Sequence, residues 1–265
     1  EQFQLNEETV WGGSPHNNTN PKAKDALPRI RQLIFEGKNK EAQELCGPTI
    51  CSQSANGMPY QTVGSLHLDF DGINEYNDYY RDLDIEKAIA TTRFTANGVT
   101  YTREAYTSFP DQVLVIRLTA SQKKSISFTA KYSTPYKSSV IRCISPRKEL
   151  QLNGKANDHE GIEGKVEFTA LTRIENNGGK LEILSDSTLQ VKDANSVILY
   201  VSIGTNFVNY KDVSGDALNS AQQYLKLVNK NYPKSKASHI NAYQKYFNRV
   251  SLNLGSNAQI NKPTD

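Results

Sequence analysis

The feature that most constrains this chain is a long middle region in which apolar residues recur at every second position. In the segment 65–70, SLHLDF, Leu66 and Leu68 alternate with His67 and Asp69. Such alternation is typical of strands with one buried face. Six further runs of this type are AIATTRFTANGVTYTREAYTS, QVLVIRLTA, SISFTAKYS, KVEFTALTRI, KLEILSD and SVILYVSIGTNF. Many short strands without alternating helices predict a mainly β protein, a large antiparallel sandwich rather than a parallel α/β sheet.

Two turn signals lie within this β-rich region. The sequence ANGV, Ala96 to Val99, places Asn-Gly between two strand-like runs and predicts a β-hairpin. The sequence NNGG, Asn176 to Gly179, predicts a second turn. Both signals support short, sequentially adjacent strands.

Helical patterns occur only near the two ends of the chain. The segment 21–45 has apolar residues at helical spacing, with Asn20 as a possible cap, Pro21 at the first helical position and Gly37 as a stop. A second helical region is predicted for 216–248. Everything between these regions is expected to be strand and turn.

The charge balance argues against several classes of partner. The chain has 31 basic and 28 acidic residues, a net charge of +3, and its basic residues are spread along the sequence. Nucleic acid and anionic membranes are therefore not expected partners. The sequence has no run of about 18 apolar residues and no signal peptide pattern at its start.

The three cysteines do not form a disulfide scaffold or a metal motif. Cys46 and Cys51 are five residues apart around a Gly-Pro pair, which leaves two interpretations open. They form a bridge in an oxidising compartment, or they remain buried free thiols. Cys143 is left over in either case.

Motifs for nucleophilic, nucleotide or zinc chemistry are absent from the sequence. There is no Gly-x-Ser-x-Gly elbow, P-loop, dinucleotide fingerprint or histidine pair at zinc spacing. The four histidines are far apart, and His67 is interpreted as an outward-facing strand residue. They are His16, His67, His159 and His239. No cofactor or metal is predicted, although a calcium ion held by backbone carbonyls is left open.

Carboxylates at a spacing of two are the better catalytic candidates, because glycoside hydrolysis needs two carboxyl groups held several ångströms apart. Solvated strand faces also carry such pairs routinely, so this spacing alone assigns no function. The pairs are Asp69 and Asp71, Asp82 and Asp84, and Asp158 and Glu160.

The opening stretch from Gln4 to Pro21, QLNEETVWGGSPHNNTNP, concentrates rare residues in a loop. It contains the only tryptophan, a Gly-Gly pair, one histidine and several amides. Trp11 is interpreted either as a platform for a sugar ring or as a residue that packs into the core or on the following helix. When this chain is considered by itself, the sequence favours the second interpretation. The polar candidates for contacts with hydroxyl groups are His16, Asn17, Asn18 and Asn20.

The order of several segments closely resembles the N-terminal domain of glycoside hydrolase family 95, especially its bacterial members. That family contains inverting α-L-fucosidases, and some relatives act on α-L-galactosides. The resemblance covers nearly the whole chain. The segments that carry it are QLNEETVWGGSPHNNTNP, LPRIRQLIFEGKNKEAQEL, YQTVGSLHLDF, YYRDLDIEKAIATTRFTANGVTYTREAYTSFPDQVLVIRLTA and HINAYQKYFNRVSLNLG.

This resemblance implies a β-supersandwich of the galactose-mutarotase-like type and a catalytic (α/α)6 barrel further along the polypeptide. We therefore expect residues 1–255 to form one domain and 256–265 to begin a linker toward that barrel. No catalytic residue of the family has a matching position here, so the isolated chain is expected to be inactive. The resemblance also implies a periplasmic or extracellular location.

Two hypotheses follow for the role of the chain. In the first, it is an accessory domain that packs on the barrel and shapes the rim of its pocket for a fucosylated glycan. In the second, it is an independent carbohydrate-binding module, which would hold sugar when isolated. Such a module displays several aromatic residues on one face, and the candidates here are Tyr76, Tyr79 and Tyr80.

Overall fold

The computed structural model describes residues 1–52, 57–70, 72–73, 75–253, 255–259 and 262. Within these residues the chain forms thirteen strands and four helices. The strands are β1 Gln2–Leu5, β2 Gly64–Asp69, β3 Asn77–Asp84, β4 Ile89–Ala96, β5 Val99–Ser108, β6 Val113–Ala120, β7 Ile126–Ser133, β8 Val140–Ile144, β9 Glu149–Lys155, β10 Glu167–Asn177, β11 Lys180–Ser185, β12 Thr188–Ala194 and β13 Ser196–Thr205. The helices are α1 Ala23–Phe35, α2 Asn39–Thr49, α3 Ala217–Leu227 and α4 Tyr232–Phe247.

The described strands form two antiparallel sheets. One sheet has five strands in the order β1-β2-β7-β12-β11, and the other has eight in the order β3-β4-β5-β6-β13-β10-β9-β8. The predicted mainly β, antiparallel architecture is confirmed. The helices also lie where the sequence predicts them, near the two ends of the chain, although α2 continues to Thr49.

The main hydrophobic core lies between the two sheets. Leu66, Leu68 and Phe128 from the five-stranded sheet pack with residues such as Leu150 and Leu199 from the eight-stranded sheet, and all are essentially inaccessible to solvent. The alternation seen in SLHLDF therefore places its leucines between the sheets. Full burial of a leucine or phenylalanine side chain stabilises the fold by about 1.5–3 kcal/mol.

A second apolar layer covers the outer face of the larger sheet. Tyr106, Val115 and Tyr200 on that face pack against Ala221 and Leu225 of α3. The central strand β13 is therefore buried on both faces, which explains why its sequence SVILYVSIGT is almost continuously apolar instead of alternating.

Arg173 pairs with a buried carboxylate in the sheet and also bonds α3. The Nε and Nη2 atoms of Arg173 in β10 lie 2.8 and 2.7 Å from Oε1 of Glu149, whose side chain is almost fully buried. The Nη1 group of Arg173 donates to the carbonyl of Leu225, at the C-terminal end of α3. Arginine thus satisfies both a buried carboxylate and a helix-terminal carbonyl.

Gly204 in β13 allows α3 to approach the sheet closely. A Cβ atom at this position would stand 2.5 Å from the carbonyl oxygen of Ala217 and 2.6 Å from the backbone nitrogen of Ala221. Both atoms belong to the α3 backbone and cannot move aside separately. The absence of a side chain is therefore required by the helix–sheet packing.

Replacing Gly204 by alanine is expected to lower the free energy of unfolding by about 1–3 kcal/mol, because the added methyl group displaces α3 from the sheet. Urea-induced unfolding measures this change. Gly47→Ala in α2 is the matched control, since no heavy atom lies within 4 Å of a Cβ there. The control is expected to be neutral or stabilising by up to about 1 kcal/mol. Equal losses in both variants would contradict this account.

The predicted hairpin at ANGV is confirmed. Asn97 and Gly98 connect β4 to β5 with φ angles of 51° and 73°, as a tight hairpin turn with two left-handed residues requires. Gly178 and Gly179 also adopt positive φ at the second predicted turn. That turn carries the chain from β10 in the larger sheet to β11 in the smaller one.

The helices α1 and α2 form a hairpin, and we call residues 23–49 the helical hairpin. Its own small apolar cluster contains Ile30, Leu33 and Ala42, and all of these residues come from the two helices. The side chain of Phe35, at the end of α1, is 88% exposed. The helical hairpin therefore packs mainly on itself and leaves an apolar side chain at its tip.

Candidate functional site

Four loop segments meet at one end of the sandwich, and we call them the loop-end surface. They belong to the predicted opening stretch and to three connections distant from it in sequence. The loop-end surface comprises residues 7–19, 57–62, 157–165 and 206–215.

The Gly-Gly pair brings three of these segments together. The N–H group of Gly12 donates to the carbonyl of Pro59, and that of Gly13 donates to the carbonyl of Asn157, both at 2.9 Å. Lys165 donates its N–H group back to Gly13 at 3.0 Å. Both glycines are buried, and Gly13 has a φ of 72°. Residues without side chains let the backbones approach closely enough for these bonds.

Trp11 lies at the surface of this junction. Its ring is 44% exposed and packs at 5.3 Å between centroids on the ring of Tyr60, which is 46% exposed. The indole N–H group donates to the carbonyl of Glu8 at 2.7 Å, which fixes the orientation of the ring. Trp11 is therefore not a core residue, and the two rings present a fixed, half-exposed aromatic pair.

The segment after β13 extends this apolar surface. The side-chain amide of Asn206 donates to the carbonyl of Lys165 at 2.9 Å and so ties the segment to the rest of the loop-end surface. The adjacent side chains of Phe207, Val208 and Tyr210 are exposed, and that of Tyr210 is 75% accessible. The sequence pattern did not single out these residues or Tyr60, because only the fold brings their segments to the loop-end surface.

Three of the polar candidates are exposed at the loop-end surface. The Nδ1 atom of His16 lies 2.8 Å from the carbonyl of Ser14, so it carries the hydrogen and directs Nε2 away from that contact. The side-chain oxygen of Asn17 accepts from the N–H group of Thr19 in a local turn. Asn18 is also exposed. These groups lie in position to meet a polar partner.

Asn20 has a different role from the other amides of this stretch. The residue is buried, and its side-chain amide donates to the carbonyls of Pro48 and Cys51 at 3.2 and 2.9 Å. Its side-chain oxygen accepts from the N–H group of Lys22, while the N-cap of α1 is Lys22 itself. Asn20 thus joins the two ends of the helical hairpin and does not cap the helix directly.

A partly buried carboxylate lies beneath the aromatic pair. Burial raises the pKa of Glu7, although hydrogen bonds from the backbone N–H and hydroxyl groups of Thr9 oppose this shift. Burial also raises the pKa of Tyr60, with a further contribution from the negative charges of Glu7 and Glu8. The Trp11–Tyr60 pair is therefore bordered by acidic groups.

Two of the carboxylates suggested by sequence are engaged in ion pairs with lysine. Asp69 lies 2.8 Å from the ammonium group of Lys131, and Asp84 lies 2.6 Å from that of Lys87. Hydrogen bonding to these lysines lowers the pKa of each carboxyl group, which is the opposite of what a general acid requires. Asp71 lies outside the described residues.

The described part of the chain contains no cluster of three or more histidine, cysteine or carboxylate side chains able to hold a metal ion. Cys46, Cys51 and Cys143 are free thiols. His67 bonds Ser133 on the neighbouring strand, and His239 is buried in α4 against Tyr106. Among the described helices, none has the length and apolar character needed to cross a bilayer.

Comparison with known proteins gives a family match over most of the chain. Residues 1–210 match the family described as glycosyl hydrolase family 65, N-terminal domain. The chain is 31% identical to alpha-L-fucosidase 2 of Arabidopsis thaliana over 96% of its own length and 33% of that protein. It is 25% identical to the probable alpha-fucosidase A of Aspergillus niger over 98% of its own length and 34% of that protein. The chain thus spans about a third of these curated relatives.

Solved structures with partial similarity include other carbohydrate-active proteins. A putative kojibiose phosphorylase from the human microbiome superposes with a TM-score of 0.43 at 14% identity, over 69% of this chain and 27% of that protein. A family GH92 alpha-mannosidase from Bacteroides thetaiotaomicron gives a TM-score of 0.32 at 8% identity, over 75% of this chain and 31% of that protein.

Proposed function

This chain belongs to the family of glycosyl hydrolase family 65 N-terminal domains, and from that membership we propose that it is the non-catalytic N-terminal domain of a larger α-L-fucosidase. Similarity to two proteins named as α-fucosidases and the resemblance to glycoside hydrolase family 95 support the fucoside substrate, with α-L-galactosides as the related alternative. Inverting hydrolysis of fucosylated glycans, in the periplasm or outside the cell, is part of this proposal.

The single observation that carries the proposed role is the exposed aromatic and apolar character of the loop-end surface. Trp11 and Tyr60 form a fixed, half-exposed pair on it, and Tyr210 is a further exposed aromatic residue of the same surface. Rigid, half-exposed aromatic side chains are enriched at the centres of protein–protein interfaces. We propose that this surface packs on the catalytic barrel, a further domain of the same polypeptide.

Two features support a domain partner instead of a sugar at this surface. The curated relatives are about three times as long as this chain, so they contain a large additional region. The helical hairpin emerges from the same end of the sandwich, because its two ends connect to residues 7–19 and 57–62, and it exposes Phe35. In the proposed assembly, the exposed groups of His16, Asn17 and Asn18 lie at the border of the barrel and its substrate pocket.

The test compares this chain with the longer polypeptide that carries it, using 4-nitrophenyl α-L-fucoside. We expect hydrolysis by the longer protein and none above the buffer blank by the isolated chain, because the proposal assigns both catalytic carboxyl groups to the barrel. Fucose release by the isolated chain that survives repurification and disappears in Asp69→Asn or Asp84→Asn would contradict the proposal.

The interface is tested with the double variant Trp11→Ala/Tyr60→Ala and the control Tyr80→Ala, an exposed tyrosine on β3. In the isolated chain, both proteins should melt close to the parent, since exposed side chains contribute little to the core. In the longer polypeptide, only the double variant should weaken domain docking. The expected result is a decrease of roughly tenfold or more in kcat/KM, or in the resistance of the protein to proteolysis between the domains. A large loss of stability in the isolated double variant, or no effect in the longer protein, would contradict the interface.

A further inference from the structure

A second concave region lies between the two sheets, at the other end of β2 from the loop-end surface. It is a cavity of about 780 Å³ between β1 and β2 of the smaller sheet and β3, β4 and β5 of the larger sheet. Gly64 begins β2 beside the opening stretch, and Asp69 ends it in the cavity. At 3.3 Å per residue these two positions are about 17 Å apart. We call this cavity the β3–β5 cleft.

The cleft is open to solvent and has the size of a small-ligand site. Pockets that bind small molecules have volumes of roughly 300–1,000 Å³. Its lining combines aromatic rings, a threonine hydroxyl and charged groups. This composition favours a ligand that has both flat apolar surfaces and polar groups, which describes a pyranose sugar.

Two tyrosine rings form an aromatic wall of the cleft. Tyr76 and Tyr79 are 57% and 54% exposed, and their centroids are 5.6 Å apart. Tyr76 also contacts the buried ring of Phe94 edge to face at 5.9 Å, which fixes its orientation. Tyrosine offers an apolar ring face together with a polar hydroxyl, and contact with it costs little side-chain entropy.

A row of polar residues crosses the floor of the cleft on three neighbouring strands. Arg81 in β3 pairs with Thr92 in β4, and Thr92 pairs with Arg103 in β5. All three residues line the cleft. Because adjacent strands are about 4.8 Å apart, the backbones of the two arginines are separated by roughly 10 Å.

Among the described charged side chains that line the cleft, only that of Arg81 lacks an ion pair. Arg103 forms an ion pair with Glu1, and its guanidinium carbon lies 4.9 Å from the ring centroids of both Phe70 and Phe94. Asp69 is paired with Lys131. Within the described residues, Arg81 forms neither an ion pair nor a side-chain hydrogen bond, and its side chain is exposed.

We propose that the β3–β5 cleft binds a hexuronic acid residue of a glycan, with the sugar ring against Tyr76 and Tyr79 and its carboxylate paired with Arg81. The planar guanidinium group matches a carboxylate with two parallel hydrogen bonds. The hydroxyl group of Thr92 lies between the two arginines, in position to bond a sugar hydroxyl. A neutral sugar would use the tyrosines and leave the unpaired guanidinium group of Arg81 unused.

The test is isothermal titration of the 265-residue chain with tri-galacturonic acid, β-1,4-linked tri-glucuronic acid and the trimethyl ester of tri-galacturonic acid. We expect at least one of the two acids to bind, and to bind at least tenfold more tightly than the ester. Affinity should fall with added salt, because the central contact is an exposed charge pair. Absence of binding by both acids would overturn the site, and equal binding of acid and ester would overturn the role of the carboxylate.

Matched variants locate the binding. Arg81→Met and Tyr79→Ala are each expected to weaken binding of the acid by tenfold or more. The controls are Tyr80→Ala and Arg93→Met, because Tyr80 and Arg93 form the adjacent cross-strand pair, are exposed and do not line the cleft. Both controls should bind within twofold of the parent. Equal losses in variants and controls, with unchanged melting, would place the binding elsewhere and overturn the proposal.

Discussion

Replacing Arg173 by alanine is expected to lower the free energy of unfolding by about 3–5 kcal/mol, because the change leaves the carboxylate of Glu149 buried without its counter-ion. Glu149 is only 3% exposed, and both of its close contacts with Arg173 are shorter than 3 Å. The same change also removes the donor to the Leu225 carbonyl at the end of α3. Guanidinium chloride unfolding at pH 7 measures the loss.

Two further variants separate the buried charge from a general effect of removing a cation. Lys155→Ala removes one partner of an exposed pair with Glu163 and should leave stability unchanged. The double variant Glu149→Leu/Arg173→Met should recover much of the loss, since neither buried charge remains. If Arg173→Ala unfolds within about 1 kcal/mol of the parent, the pair contributes little and this account is wrong.

Raising the pH from 10 to 12 is expected to unfold the protein, because several buried tyrosines hold their protons more tightly in the folded state. Burial raises the pKa of Tyr200 to about 12 and raises those of Tyr132 and Tyr232 as well. In the unfolded chain, a tyrosine titrates near pH 10. The stability linked to these groups is therefore complete below pH 10 and is lost as the pH approaches the folded-state values.

With three such tyrosines, the free energy of unfolding should fall by about 4 kcal/mol per pH unit above pH 10, since each proton bound only in the folded state contributes about 1.4 kcal/mol per pH unit. Urea unfolding followed by circular dichroism at pH 8 to 12 gives the slope directly. A slope near zero between pH 10 and 12 would contradict the prediction.

Tyr200 allows a specific check of this prediction. Its hydroxyl group is buried and has no hydrogen-bond partner among the described residues. Tyr200→Phe should therefore raise the free energy of unfolding at pH 7 by roughly 1–3 kcal/mol. It should also make the loss of stability between pH 10 and 12 smaller by the contribution of one proton, about 1.4 kcal/mol per pH unit. Tyr210→Phe is the control, because that ring is exposed and should change neither quantity. Identical slopes in the parent and Tyr200→Phe would exclude Tyr200 as a titrating group.

The fold class could be predicted from the sequence because the inner strands have one consistently buried face. Five strands, β1, β3, β8, β9 and β12, were missed. Three of them lie at sheet edges, and β3 and β8 are the two edges of the larger sheet. Most of their residues are exposed or only partly buried, so their sequences carry no clear alternation. Edge strands are specified by their pairing partners, and pairing is not visible in a local pattern.

The candidate site was predictable only in part. The sequence singled out the opening stretch, and the structure explains its Gly-Gly pair by close backbone contacts with Pro59 and Asn157. The other aromatic residues of this surface could not be predicted, because Tyr60 and Tyr210 come from segments about 50 and 200 residues further along the chain. Asn20 likewise needs the positions of two distant carbonyls to explain it.

The self-contained packing of the helical hairpin implies that the chain does not unfold as one uniform body. Its apolar cluster is separate from the core between the sheets, and one buried amide, that of Asn20, joins its two ends. Local opening of a segment requires only the free energy of the contacts that the segment makes. Backbone amides in α1 and α2 can therefore exchange with solvent through excursions that leave β13 protected. A partner bound at the tip near Phe35 would suppress those excursions, so docking would be recorded as slower exchange in a region that contributes little to global stability.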